Sequence, residues 1–262
     1  MQATELESGH IDLTIEETLA TITLNRPDKL NALTMEMLTD LERIANELDA
    51  SQTVSVVVIQ SNCEKAFSVG ADIKAWSALE PLAMWHTWIA VGHRVFQRLT
   101  NLRQPLIAAL NGFTLGGGLE LALTADIRIA QEGIRLGLPE TSIGAIPAWT
   151  GITKLPEIVG TPRAKQMIFS AQPIEVTTAE AWGLVNEIVS PDQLNTRVQA
   201  LAEQIGANAS ISVQICKQLM NRDNHPSLPI ESLAGALAAF TQDGQEGTQA
   251  FLEKRSPRYV GK

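Results

Sequence analysis

The chain has 262 residues, 45% hydrophobic and 19% charged, with 29 acidic against 20 basic side chains and a formal net charge of −9. That length suits one large domain, or one domain with a small appendage, and charged residues break every apolar run before the ~18 residues a bilayer span needs. The acidic balance argues against a broad nucleic-acid footprint, so an anionic ligand would be held by a few Lys or Arg side chains and by backbone N–H groups.

Two cysteines, Cys63 and Cys216, are too few for a disulfide scaffold and show no metal-binding spacing. Free thiols in a reducing cytosol are expected. The stretch MQATELESGHIDLT has no basic start followed by an apolar core. No secretory signal is therefore expected, and the chain is assigned to the cytoplasm.

IDLTIEETLATITLNRP alternates apolar and polar residues around a turn near Glu16–Thr18 and predicts a β-hairpin. TMEMLTDLERIANELDA has helical spacing with Thr34 at the N-cap. VSVVVIQS is a β-branched run suited to a buried strand. The loop NCEKAFSVGADIKAW follows, then an aromatic-rich helix from about Pro81 to Thr100. QPLIAALNGF predicts a strand ending in an Asn-Gly turn, followed by three glycines and a helix to about Thr124. ADIRIA is a further strand, and IRLGLPE a short strand running into a loop. After Pro147 strands become scarce. Helices are expected near 151–158, 162–169, 177–182, 192–207, 210–224, 230–240 and 244–254. The first two-thirds thus predict an α/β body of stacked strand–strand–helix units with parallel pairing. The last third predicts a helical appendage that packs on its own body or on a neighbouring subunit.

Three stretches carry the chemistry. A helix beginning at Gly116 leaves its first N–H groups unpaired, and bare backbone at Gly116, Gly117 and Gly118 lets a ligand oxygen come close. Close packing of helix on strand explains the same glycines equally well. Glu120 lies three residues after Gly117 and projects from nearly the same face; by itself it reads as a solvated carboxylate. KAFSVGADI presents a second N–H, from Ala71, while Asp72 reads as a structural loop residue. In LGLPETSIGAIP, Glu140 alone reads as a surface residue.

Together, LNRPDKLNAL, KAFSVGADI, NGFTLGGGLELALTADIRIA and LGLPETSIGAIP, in that order and spacing, resemble the enoyl-CoA hydratase/isomerase (crotonase) superfamily. The resemblance runs from about Ile11 to AFLEKR. It implies a crotonase-like spiral of stacked ββα units over residues 1–200 with the acyl-CoA site, and a helical oligomerisation region over 201–262. It implies an oxyanion hole from the N–H groups of Ala71 and Gly117, and acid/base work by Glu120 and Glu140 in hydrating a trans-2-enoyl-CoA to a 3-hydroxyacyl-CoA. The implied acyl-CoA contacts are Lys29, Ala32 and Val69, with Gly70, Asp72, Ile73, Gly116 and Trp149. Lys254 would reach the CoA phosphates from a neighbouring subunit of a homotrimer or hexamer. No metal or redox cofactor is expected; coenzyme A arrives as part of the substrate.

The chain departs from the family pattern at IPAWTGITKLP, where Ala148, Trp149 and Thr150 replace small residues. Trp149 either narrows the acyl pocket or packs outward. Leu138 stands where a polar residue is common, which would change how the second carboxylate is hydrogen-bonded. Trp76, Trp85 and Trp88 lie in a region that borders the acyl group in relatives, or form helix core. These changes point to a compact or unusual acyl group, and leave open an isomerase or another acyl-CoA lyase. Other classes fit less well. No G-x-G-x-x-G follows a first strand and no Walker-type G-K-[ST] occurs. Ser68 is outside a G-x-S-x-G elbow, and His86 and His93 have plain core spacing. A silent CoA-binding scaffold has no chemical reason to keep both glutamates.

Overall fold

The computed structural model describes residues 6–221 and 228–262. β1 (Ile11–Glu16) and β2 (Leu19–Leu24) form the expected hairpin, antiparallel with Ile11 opposite Leu24. α1 (Met35–Ala50) starts at Thr34, whose side chain accepts from the Met37 N–H and so satisfies an orphan donor of the first turn. β3 (Val56–Ser61) runs parallel to β2. β4 (Ala66–Ser68), α2 (Ile73–Trp76), α3 (Pro81–Ala83) and α4 (Ala90–Thr100) follow, with a π-helical turn at Met84–Ile89 joining the last two. Next come β5 (Leu106–Leu110), β6 (Phe113–Leu115), α5 (Gly117–Ala122), β7 (Ile127–Gln131) and β8 (Arg135–Gly137).

These strands alternate between two sheets. The larger has the order β1-β2-β3-β5-β7-β10, where β10 is Glu187–Val189; the smaller has the order β4-β6-β8-β9, where β9 is Ile174–Glu175. Three times the chain makes a long strand in the first sheet and a short one in the second, then turns through helix. Each turn is one ββα unit of a spiral. β4, β6 and β8 pair in parallel, with Ser68 opposite Thr114 and Leu115 opposite Gly137. The residues just past these three strand ends are therefore neighbours, although they lie far apart in sequence.

β3 and β5 are apolar on both faces because the larger sheet is covered on both. On one face α1 and α4 contribute Leu41, Ile44, Val95 and Phe96. On the other, Leu194, Val198 and Ala202 of α9 (Leu194–Gly206) cover Val56, Val58, Ile107 and Ile129. α9 is thus part of the body. α6 (Gly151–Val159), α7 (Thr161–Ser170) and α8 (Val176–Ala181) complete the third turn of the spiral.

α10 (Ser210–Met220) is tied back to the body by Lys217, buried, whose Nζ meets Asp126 Oδ2 at 2.7 Å and the Gln104 carbonyl at 2.8 Å. The expected helix over 210–224 is seen to Met220; residues 222–224 lie outside the described residues. α11 (Leu228–Phe240) and α12 (Gln242–Glu253) close the chain.

Four strands escaped sequence expectation: β4, which falls in the stretch read as a loop, and β6, β9 and β10. Each has only two or three residues, too few for a period-2 pattern to register. The Asn-Gly after β5 is also not a hairpin turn. Asn111 donates to the Cys63 carbonyl at 2.8 Å, and the chain passes from one sheet to the other. No described helix is long and apolar enough to cross a membrane.

Candidate active site

The three stretches singled out in the sequence follow β4, β6 and β8, so the parallel register brings them to one edge of the smaller sheet. The Gly116 N–H donates to the Gly137 carbonyl at 2.9 Å and extends that pairing by one residue. The glycines then serve three separate purposes. Gly116 has φ +54°, which L side chains rarely adopt. A Cβ on Gly117 would lie 2.6 Å from the Trp149 ring. A Cβ on Gly118 would overlap the Ser68 carbonyl of β4. Gly118 is close helix-on-strand packing, while Gly116 and Gly117 line an open cavity.

The loop after β4 is pinned across from Leu33, whose N–H donates to the Gly70 carbonyl at 2.7 Å and whose carbonyl accepts from Asp72 N–H at 2.8 Å. Between these bonds the Ala71 N–H meets no acceptor among the described residues, and neither does the first N–H of α5, at Gly117. A Cβ on Gly117 would be 3.4 Å from the Ala71 nitrogen. Two donors without an acceptor thus stand close together in the lining of one cavity, an arrangement suited to an oxygen that gains negative charge.

Glu120 is buried one turn into α5. Its Oε1 accepts three backbone N–H groups at the start of α6: Trp149 at 2.9 Å, Thr150 at 2.8 Å and Gly151 at 2.7 Å. Burial raises its pKa, and the three donors and His93 pull the other way. Glu140 opens a 3₁₀ turn, Glu140–Ile143, and its Oε2 is buried with no hydrogen-bond partner among the described residues. Leu138, two residues earlier, is fully buried and supplies no donor. Burial first, then the neighbouring Glu120 charge, pushes the Glu140 carboxyl up to about 7.

A cavity of about 470 Å³ contains both glutamates, Ala71 and Gly117. Of the sequence candidates it also brings in Val69, Ile73, Gly116 and Trp149. Trp149 is buried, edge-on to Phe96 at 5.2 Å and tilted against Trp88 at 5.7 Å. It does not pack outward: it is packed into the core and forms part of the cavity wall. Trp76 and Trp88 also line the cavity, whereas Trp85 does not and is 64% exposed.

Other candidates lie off this cavity. Gly70 stands behind it, where a Cβ would be 2.8 Å from Gly117 N. Asp72 caps α2 through the Lys74 N–H at 3.1 Å and pairs with Arg26 at 2.8 Å, which holds its carboxyl below the usual range. Ala32 uses its N–H on the Lys29 carbonyl and its own carbonyl on Arg26. Lys29 is exposed, and Lys254 is an exposed left-handed residue ending α12. Sequence reasoning missed Met84 and Ile89, which the wider π turn rotates into the cavity beside Trp88; a 3.6-residue period gives no sign of it.

A family model, Enoyl-CoA hydratase/isomerase, matches residues 14–262. The chain is 37% identical to a short-chain-enoyl-CoA hydratase of Clostridium acetobutylicum, over 95% of this chain and 97% of that one. It is 35% identical to a crotonyl-CoA hydratase of Syntrophomonas wolfei, over 97% and 98%. The crystal structure of an enoyl-CoA hydratase from Bacillus anthracis superposes with a TM-score of 0.91 at 34% identity, over 97% of this chain and all of that one. The chain belongs to the enoyl-CoA hydratase/isomerase family, the crotonase superfamily, and has its spiral fold.

Proposed function

We infer that the protein adds water across the double bond of a trans-2-enoyl-CoA to give the 3-hydroxyacyl-CoA. One observation carries this reading: two carboxylates, buried Glu120 and half-buried Glu140, share a cavity with two unpaired backbone N–H groups. The thioester oxygen accepts from Ala71 and Gly117, so negative charge moves onto it as the hydroxyl bonds to C3. An oxyanion donor of this kind is worth roughly 100–1,000-fold in rate. Three N–H bonds on Oε1 fix Glu120 and leave its second oxygen to orient and deprotonate the water. Glu140, with a pKa of about 7, helps to position that water and delivers a proton to C2. Acid and base so placed contribute typically 10²–10⁴-fold each. An isomerase needs only a single shuttling base, so two carboxyls facing one cavity favour hydration.

Mixing protein with crotonyl-CoA and following loss of the conjugated-thioester absorbance tests this. Rapid loss in the wild type that collapses in both Glu120→Gln and Glu140→Gln is the expected result. Tight binding of CoA thioesters without any loss would move the assignment to an isomerase or a lyase for a different acyl group.

The assembly follows the same reading: a homotrimer, or two trimers as a hexamer, joined through the C-terminal helices, with Lys254 of one subunit reaching CoA phosphates held by the next. Leu233, Leu237 and Phe240 of α11, with Phe251 and Leu252 of α12, remain exposed and form the surface such contacts would bury. A monomer mass by light scattering would overturn it.

A further inference from the structure

The cavity runs from an exposed rim to a buried wall. At the rim Ile73, Ile143 and Ile146 are each more than half exposed, whereas Trp88 and Trp149 at the wall are 4% and 3% exposed. A CoA thioester can enter only from the rim, so the acyl tail is the part that meets the wall.

Trp149 is fixed there at both ends. Its own N–H donates to Glu120. Its indole fits against α4 only because residue 92 is glycine: a Cβ on Gly92 would overlap the indole nitrogen. Phe96 and Trp88 hold the ring on two sides, and the far edge rests on Gly117. The indole therefore has no free rotamer to retreat into, and it stands directly beside the oxyanion pair. The whole cavity, about 470 Å³, is at the lower end of the roughly 300–1,000 Å³ usual for small-molecule sites. It must also admit the thioester itself.

We propose that Trp149, seated on Gly92, is the specificity-determining wall of the acyl site and confines the enzyme to short-chain enoyl thioesters, about four to six carbons long. This rests on the hydratase reading above. Each methylene that finds apolar surface is worth about fourfold in binding. A tail that reaches a clamped indole gains nothing more, and one methylene too many costs roughly 10–200-fold in kcat/KM.

The test compares kcat/KM for trans-2-enoyl-CoAs of four to sixteen carbons in the wild type and Trp149→Ala. The wild type is expected to peak on the shortest chains. The variant is expected to raise the ten-carbon to four-carbon ratio by about tenfold or more. The ratio is read because loss of the indole beneath Gly117 lowers all rates together. An unchanged ratio, or a wild type that prefers the longest chains, overturns the proposal. Trp149→Phe carries the same comparison if the alanine variant does not fold. Gly92→Ala and Trp149→Ala together should cost less than the sum of the two alone, because the added Cβ then has nothing to meet; strict additivity breaks the pairing. If no enoyl-CoA is turned over, the hydratase reading fails, and calorimetry with saturated acyl-CoAs still reads the wall. Affinity should stop rising beyond about six carbons in the wild type and keep rising in Trp149→Ala; equal slopes overturn the wall.

Discussion

On the side of the cavity built by α5 and α6, Glu120 is locked by three backbone N–H groups at the start of a helix. On the side built by the turn after β8, Glu140 opens a 3₁₀ turn with one oxygen buried and unpartnered. The same side chain thus meets two environments. Burial raises the pKa of both; the first environment fixes geometry and sets three N–H donors against that rise, whereas the second leaves one oxygen unpartnered and the pKa at about 7. A base that must aim a water benefits from the first, and a group that must hand over a proton near neutrality benefits from the second.

The largest test of this contrast is Glu120→Gln. The amide oxygen can still accept the three N–H bonds, so folding should survive while kcat falls roughly 10³–10⁴-fold. Residual activity within tenfold of wild type would remove Glu120 from the chemistry. Next comes Gly117→Ala, whose Cβ would stand 3.4 Å from the Ala71 nitrogen and 2.6 Å from the indole. A fall of roughly 100–1,000-fold in kcat is expected. A larger loss in Gly118→Ala than in Gly117→Ala would instead mark helix packing as the chief need for these glycines.

The unpartnered Glu140 carboxyl predicts pH dependence. Glu140 must be protonated to act as acid, so kcat/KM on crotonyl-CoA should decline as pH rises through about 7, the apparent value belonging to the coupled pair. A profile flat from pH 6 to 9 would argue against that role. The smallest effect is on stability. A carboxyl whose pKa is raised on folding subtracts stability as it ionises: the loss begins near its unfolded value of 4.5, grows to about pH 7 and is constant above. Glu140→Gln should therefore stabilise the fold by about 1–3 kcal/mol at pH 8, allowing for its partial exposure, and by nothing at pH 4. Urea denaturation at the two pH values measures the difference, and equal values would show that Glu140 is not strained by burial.

The backbone features of the candidate site were legible because their signals are local, whereas the two glutamates were singled out only by the order and spacing of four stretches together. Three glycines beside a glutamate, a Gly-Ala pair after a buried strand, and Pro-Glu after a short strand each mark a backbone feature that depends on nearby residues alone. What escaped depended on distant ones. The three donors on Glu120 come from residues 149–151, about thirty positions away. Met84 and Ile89 face the cavity only through a π turn. The two- and three-residue strands β4, β6, β9 and β10 exist because neighbouring strands template them, since so few residues cannot form a strand on their own.

The sequence by itself determined the hairpin, the capped α1 and the buried parallel strands. Hydrophobic period, caps and β-branched runs act over a few residues and do not wait for the fold. Only the tertiary structure decided that the ends of β4, β6 and β8 share one edge, that Glu120 is fixed while Glu140 is not, and that Trp149 finds its slot at Gly92. Each of these depends on which distant backbone lies within hydrogen-bonding or van der Waals reach, and that distance is set by sheet register and helix packing.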